Sequence, residues 1–112
     1  MLYILRDNTI RLTRGDTAHL TVPIVTSTGE EYNMSANDTL TFSVKKTVND
    51  TRYIIHKTVV GSNVLKLEPR DTNSLEFLKY KYDIQLTTED GDVYTVVDTS
   101  TFEILPEVTC HV

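Results

Sequence analysis

Apolar and polar residues alternate with a period of two along much of this chain. The alternation is seen in three sets of positions: Ile10 and Leu12; Leu20, Val22 and Ile24; and Leu40, Phe42 and Val44. Successive side chains of a β-strand point to opposite faces, so this period indicates strands with one buried and one solvated face. Thr, Val and Ile together make up a third of the residues, and such β-branched side chains favour strands over helices. We therefore predict an all-β fold.

The longest alternation lies in the second half of the chain. Apolar residues occupy every second position at Tyr80, Tyr82, Ile84 and Leu86, with polar or charged residues between them. We expect this strand to place both tyrosines in the core. It leads into Asp90-Gly91, a pair that supplies the positive φ of a tight hairpin turn, and residues 93–97 provide the returning strand.

Further strands are separated by turn signals about every ten residues, a spacing typical of antiparallel sandwiches. Residues 52–60 and 63–67 flank Gly61-Ser62 and predict a second hairpin, and residues 101–105 predict a last strand that ends at Pro106. The sequence therefore predicts about eight strands, within a range of seven to nine. We predict one antiparallel, immunoglobulin-like β-sandwich over residues 1–112, with its core in residues 9–105.

One short segment favours a helical turn. Pro69 and Asp71 are typical of a helix start, and a turn near residues 70–76 brings Leu75 onto the core. The turn leads directly into the tyrosine-bearing strand. We expect Tyr80 or Tyr82 to donate a hydrogen bond back across this corner, as in the tyrosine corner of such sandwiches.

Charge and composition argue against several classes of partner. The 112 residues carry 11 Lys+Arg against 16 Asp+Glu, a net charge of −5 that is unfavourable for neutralising phosphates, so we expect no nucleic acid. Acidic residues also interleave the six basic residues of the strands and turns: Lys45, Lys46, Arg52, Lys57, Lys79 and Lys81. Apolar stretches are too short for a membrane span, and the N-terminus has no signal-peptide pattern. We expect a protein that is made and kept in a cytoplasm, or packaged from it, with no membrane partner.

Neither catalytic nor metal-binding motifs are present. His19, His56 and His111 lie far apart, and Cys110 is the single cysteine, which agrees with a reducing compartment and which we interpret as a residue of the C-terminal end. No pairing of a nucleophile with a base is evident, so we predict no enzymatic activity and no cofactor.

Two short loops contain charged residues next to a glycine. Glu89, Asp90 and Asp92 surround Gly91, which we interpret as a hairpin turn, with weak cation binding as the alternative.

The tripeptide Arg14-Gly15-Asp16 matches a motif of integrin ligands. A tight turn is the simpler explanation of these three residues. In that interpretation Gly15 reverses the chain, and Asp16 accepts hydrogen bonds from nearby amides.

The N-terminus contains more apolar residues than a frayed end needs. Leu2, Tyr3, Ile4 and Leu5 precede the first turn. Residues 1–6 form either an extra edge strand that serves as an interaction segment or an ordinary first strand of the sandwich.

Several motifs recur in an order that resembles one family. They are Ile10-x-Leu12-x-Arg14-Gly15-Asp16-Thr17, Gly29 before Tyr32, Asp38 to Val44, Asp71-Thr72 before Tyr80-Lys81-Tyr82, Asp90-Gly91, and Phe102-Glu103-Ile104. This order over residues 9–104 resembles small structural proteins of phages and prophages, and is similar to the immunoglobulin-like N-terminal domain of phage baseplate upper proteins. The resemblance implies a stand-alone accessory or tail-associated protein without catalytic residues.

The resulting hypothesis is a non-enzymatic tail- or baseplate-associated protein. It docks on other phage structural proteins and on further copies of itself through sheet edges and loops. The alternative is a carbohydrate-binding β-sandwich, because Tyr3, Tyr32, Tyr53 and Tyr94 are not all required by the core.

Overall fold

Strands dominate the protein, as a computed structural model that describes residues 2–108 shows. The elements in chain order are β1 (Leu2–Ile4), β2 (Ile10–Thr13), β3 (Ala18–Thr21), β4 (Thr39–Lys45), β5 (Ile55–Val60), β6 (Val64–Leu67), α1 (Pro69–Thr72), β7 (Lys79–Thr87) and β8 (Val93–Leu105). The all-β prediction is confirmed. Cys110 and His111 lie outside the described residues.

The described strands form two sheets. A six-stranded sheet has the order β1-β2-β8-β7-β4-β5, and a two-stranded sheet pairs β3 with β6. Strand β2 runs parallel to β8, while all other neighbouring strands are antiparallel. The prediction of a purely antiparallel arrangement is therefore wrong at this pair. Almost the whole chain separates β2 from β8, so no tight turn dictates their relative direction.

A single hydrophobic core joins the two sheets. The inner faces of both contribute to one cluster of buried side chains, with Phe42 of β4, Tyr82 of β7 and Phe102 of β8 among them. The ring centroids of Phe42 lie 5.5 Å from Tyr82 and 5.8 Å from Phe102, in tilted and edge-to-face arrangements. This aromatic cluster ties together three neighbouring strands of the six-stranded sheet.

The predicted hairpin around Gly61-Ser62 is wrong. Strand β5 pairs with β4, whereas β6 pairs with β3, so the chain crosses between sheets at this point. Gly61 has φ +71 and its N–H donates to the carbonyl of Asp38 at 2.8 Å, and an added Cβ would lie 3.1 Å from the Ala36 carbonyl oxygen. A glycine thus permits a change of sheet as readily as a hairpin.

The two strands predicted last, at residues 93–97 and 101–105, form a single strand in the structure. Residues 93–97 and 101–105 belong to the continuous strand β8, which pairs with β7 through register shifts near Ile84. These irregularities accommodate the polar stretch Asp98-Thr99-Ser100, which broke the alternation in the sequence.

The helical turn is shorter than predicted. It covers Pro69–Thr72, and Asp71 Oδ2 accepts a hydrogen bond from the Glu68 N–H at 2.7 Å. Leu75 lies after the turn and packs against the core as expected.

Candidate functional site

The N-terminal hairpin, defined as β1, the turn at residues 5–9 and β2, forms one end of the six-stranded sheet. Leu2 pairs with Leu12, Tyr3 with Arg11 and Ile4 with Ile10. Leu2 packs against the core, but Tyr3, Ile4 and Leu5 remain 49%, 50% and 46% exposed. The segment is thus a strand of the domain's own sheet and also an apolar edge.

The outer side of β1 carries unpaired backbone groups. The Leu5 N–H donates to the Thr9 carbonyl at 2.9 Å, and hydrogen-bonded pairs alternate along an antiparallel ladder. Tyr3 therefore exchanges hydrogen bonds with Arg11, and the N–H and C=O groups of Leu2 and Ile4 point outward. No charged side chain in β1 protects this edge, although charges are a common protection of edge strands.

The turn of the N-terminal hairpin is held from several sides. Asn8 adopts φ +69 and donates its N–H to the Leu5 carbonyl at 3.0 Å, and Asp7 Oδ1 accepts from the Thr9 N–H at 3.0 Å. The Tyr82 hydroxyl donates to the Asn8 carbonyl. Burial raises the pKa of Tyr82 to about 12, so this hydroxyl keeps its proton at neutral pH. The hairpin is thus fastened to the core by Tyr82, a tyrosine that the sequence placed in the core and offered as one of two candidates for the corner hydrogen bond.

Strand β8 has a second unpaired edge. Strand β2 covers it only at residues 102–105, which leaves residues 93–101 without a neighbour on that side among the described strands. Because the Thr88 N–H donates to the Asp92 carbonyl, alternation directs the Tyr94 groups toward β7 and those of Val93 and Thr95 outward. We call this open stretch beside β8 the recess.

A groove of about 540 Å³ adjoins the recess. Its walls are the segment after β3 and the start of β8: Pro23, Ile24, Val25, Thr26, Ser27, Tyr32, Leu86, Thr88, Tyr94, Thr95 and Val96. Val25 and Tyr94 are 66% and 55% exposed, so the groove has apolar rims as well as an apolar floor. Sequence reasoning missed the groove because its walls lie about 70 residues apart in the chain.

A buried carboxylate fixes the end of the domain next to the groove. Asp38 Oδ2 accepts from the Tyr32 hydroxyl at 2.6 Å and from the Ser35 N–H at 3.0 Å, and Oδ1 accepts from the Glu89 N–H at 3.0 Å. The hydrogen bond from Tyr32 lowers the pKa of Asp38 and raises that of Tyr32. Asp38 thereby joins the segment that carries Tyr32 to the β7–β8 turn.

The β7–β8 turn forms the predicted hairpin. Gly91 has φ +90, and its N–H donates to the Thr88 carbonyl at 2.9 Å. Asp90 lies in this turn and is exposed. Residues 2–108 contain no group of three potential metal ligands, so nothing on these residues favours the alternative of cation binding by Glu89, Asp90 and Asp92.

The Arg14-Gly15-Asp16 tripeptide is locked into the domain. Gly15 is buried, has φ +83, and donates its N–H to the Thr72 hydroxyl at 2.8 Å. Arg14 pairs with Glu107 at 2.7 Å and lies over the Phe77 ring at 4.3 Å. The Asp16 N–H donates to the Thr13 carbonyl at 3.1 Å. The tripeptide is a turn between β2 and β3 that is hydrogen-bonded to α1.

Thr72→Val is expected to destabilise the protein by about 1–3 kcal/mol, because it leaves the buried Gly15 N–H without an acceptor. Urea unfolding followed by circular dichroism measures this loss. Thr72→Ser keeps the hydroxyl and is the matched control. Equal stability of the valine and serine variants would show that the hydrogen bond contributes nothing.

The two tyrosines at the start of β7 have different partners. The Tyr80 hydroxyl donates to the Glu76 carbonyl, four residues upstream, at 3.0 Å. Tyr82 instead donates to Asn8. The bond across the corner is made by Tyr80.

The sequence did not predict the pairing of Ser43 with His56. Ser43 Oγ and His56 Nδ1 lie 3.0 Å apart on the outer face of the six-stranded sheet, where His56 stacks on Tyr53 at 4.4 Å. The register of β4 with β5 creates this pair, and only the pairing of strands reveals it. Strand β4 has neighbours on both sides, so its amides are not available to stabilise an oxyanion beside Ser43. His19 is exposed as predicted.

The basic residues of the strands do not form a single patch. Lys57 Nζ lies 2.7 Å from Asp71 and donates to the Lys66 carbonyl at 3.2 Å, bridging the edges of β5 and β6. Lys45 and Lys81 are cross-strand neighbours on the outer face. The interpretation of a mixed-sign surface agrees with this placement.

No protein-family model matches the chain, and no curated protein is significantly similar to it. Within residues 2–108, no helix has the length and apolar character needed to cross a membrane.

Proposed function

We propose that this chain is a non-enzymatic structural or assembly protein of a phage or prophage particle, associated with the tail or baseplate. It acts by docking on other structural proteins and on copies of itself, in the particle or in the cytoplasm of the bacterial host. The observation that carries the proposal is the uncharged edge formed by Leu2, Tyr3, Ile4 and Leu5, of which Leu2 packs against the core and the other three are half-exposed. Partners can satisfy the outward groups of such an edge by strand addition.

The order of the strands supports an immunoglobulin-like sandwich as the scaffold. Strands β8, β7, β4 and β5 follow one another in one sheet, β3 and β6 form the other, and α1 leads across to β7. The hydrogen bond from Tyr80 to Glu76 is the corner bond typical of this fold. The fold alone does not imply a function, and the docking role rests on the edge.

The free edge of β1 differs from the edge at the opposite side of the same sheet. Strand β5 ends the same sheet on the opposite side, and there Lys57 bridges to β6 and to Asp71. Within residues 2–108, strand β1 has no such covering. Of the two end strands of this sheet, β1 is therefore better suited to a protein partner.

Docking rather than catalysis is favoured by the placement of the polar side chains. Ser43 and His56 lie on an open sheet face, and the 540 Å³ groove is lined mainly by apolar and hydroxyl side chains. No cofactor enters this proposal. A function in surface recognition requires only the edges and loops.

Removal of residues 2–6 tests the proposed role. Particles are purified on a density gradient from a lysate of the host that carries the gene, and an antibody to the purified protein detects it in each fraction. We expect the full-length protein to sediment with tailed particles and the deletion variant to be lost from them. Val60→Lys, a change at the exposed end of β5, is the control that should still be incorporated.

Absence of the full-length protein from the particle fractions would refute the proposal. Genes for tail, capsid or packaging proteins beside the coding sequence are also expected.

Carbohydrate binding is the second candidate, favoured by one observation. Tyr32 and Tyr94 line the same groove, and aromatic rings are typical contacts for sugars, whereas Tyr3 and Tyr53 lie elsewhere. Binding on a glycan array that Tyr94→Ala abolishes would favour this function. Absence of binding by the wild-type protein would remove it.

A further inference from the structure

The free side of the six-stranded sheet has a step. Along the C-terminal part of β8, at residues 102–105, the sheet continues into the two strands of the N-terminal hairpin. Along the N-terminal part of β8, at residues 93–101, lies the recess, where residues 2–108 provide no neighbouring strand. The sheet is therefore two strands wider beside residues 102–105 of β8 than beside residues 93–101.

We propose that a second copy of this chain, related by a twofold axis normal to the six-stranded sheet, places its N-terminal hairpin in the recess. The first copy's hairpin then occupies the recess of the second. The gap between the two β8 strands is two strands wide in both halves, so one operation fills both recesses. This inference rests on the proposed docking role of β1 and names its partner.

Strand directions agree with this assembly. Strand β1 is antiparallel to β2, and β2 is parallel to β8, so β1 is antiparallel to β8 of its own chain. A rotation of 180° in the plane of the sheet reverses that relation. The incoming β1 lies parallel to β8, where the outward groups of Leu2 and Ile4 meet those of Val93 and Thr95.

The apolar faces agree as well. An axis normal to the sheet keeps the inner faces of both copies on the same side. Leu2 and Ile4 share the inner face with their partners Leu12 and Ile10, so in the assembly they point toward the groove. The groove offers Ile24, Leu86 and Val96 to these side chains. Burial of the half-exposed Ile4 and of the apolar groove lining provides the hydrophobic contribution.

Charges at the axis are complementary. The turns of the two hairpins meet there, and each carries exposed Arg6 and Asp7 side by side. The twofold brings Arg6 of one copy toward Asp7 of the second copy, so opposite charges face each other twice. This local attraction opposes the repulsion between two chains of net charge −5.

Sedimentation equilibrium of the full-length chain tests the inference. We expect twice the mass of 12.7 kDa at high concentration. Ile4→Lys places a charge against the groove, and Thr95→Pro removes an outward N–H of β8. Each is expected to weaken the dimer roughly tenfold or more. Val60→Lys adds the same charge at the opposite side of the sheet and should leave the dimer unchanged. A monomer at every concentration would overturn the inference, as would equal effects of all three variants.

A cysteine pair identifies the strand in the recess. In a Cys110→Ser background, Ile4→Cys and Val96→Cys lie on separate strands of one chain, both on the inner face, and become neighbours in the proposed dimer. Mild oxidation is expected to yield a covalent dimer on a denaturing gel. A disulfide within one chain would show that a chain's own β1 swings into its recess, and absence of any disulfide would show a different occupant; both overturn the inference.

The two tests separate this inference from the proposed function. A monomer that still sediments with phage particles refutes the twofold dimer alone. A dimer that is absent from particles refutes the phage role alone.

Discussion

Phe42→Ala is expected to lower the free energy of unfolding by about 3–5 kcal/mol, the usual cost of truncating a fully buried aromatic residue. Phe42 is buried at the centre of the core and contacts the rings of Tyr82 and Phe102. Small domains have a total stability of about 5–15 kcal/mol, so this one change removes a large part of it. Chemical denaturation followed by circular dichroism measures the loss.

Two variants control for this prediction. Phe42→Leu retains most of the apolar volume and should cost about 1.5 kcal/mol or less. Tyr53→Ala removes a half-exposed ring from the outer sheet face and should change stability by about 0.5 kcal/mol. If Phe42→Ala were as mild as Tyr53→Ala, the aromatic cluster would not be the centre of the core.

The position of Phe42 links core packing to the proposed docking edge. Its neighbour Phe102 is paired with Ile10 of β2, and its neighbour Tyr82 holds the turn of the N-terminal hairpin through Asn8. The same cluster therefore positions both parts of the step in the sheet. A destabilised core is expected to loosen the hairpin even though β1 does not touch Phe42 directly.

The sequence predicted those features that depend on neighbouring residues. Alternation identified β4 and β7, and Asp90-Gly91 identified the hairpin that joins β7 to β8, because period and turn chemistry are local properties. The signal at Gly61 is ambiguous, since a positive φ serves a change of sheet as well as a hairpin. The local pattern specifies that the chain turns, and the distant partner of β6 specifies where it goes.

Features of the candidate site depend on strands that are distant in the chain. The recess exists because β2 is short and lies beside only the last part of β8. Its existence follows from the lengths of two strands whose pairing the sequence does not reveal. The apolar character of Leu2, Tyr3, Ile4 and Leu5 was visible in the sequence, but the exposure of the last three was not.

Asp38 shows the same limit for a polar residue. In the sequence it belongs to Asn37-Asp38-Thr39, a run typical of a turn. In the structure its carboxylate is almost fully buried and accepts three hydrogen bonds, from Tyr32, Ser35 and Glu89. A buried carboxylate with donors from three parts of the chain is expected to be sensitive to substitution.

Asp38→Ala is expected to destabilise the domain more than Thr72→Val, because it leaves two backbone donors and the Tyr32 hydroxyl without their acceptor. Urea unfolding measures the loss. Tyr32→Phe removes one of the three donors and should have a smaller effect. A loss no larger than that of Tyr32→Phe would contradict the view that Asp38 organises this end of the domain.

The pH dependence of stability provides an independent test of the same carboxylate. The hydrogen bond from Tyr32 holds the pKa of Asp38 below its ordinary value of 3.8, so the folded state favours the ionised form. The contribution of Asp38 is therefore fully present above that value and is lost as the pH falls through the lowered pKa of the folded state. Asp38→Asn is expected to flatten the fall in unfolding free energy below about pH 4, whereas Asp90→Asn, which removes the same charge from an exposed turn, should leave it in place. Because Asp38 also positions Tyr32 in the wall of the groove, Asp38→Asn is expected to weaken the proposed dimer as well. An acid dependence that survives Asp38→Asn would assign the loss of stability to other carboxylates.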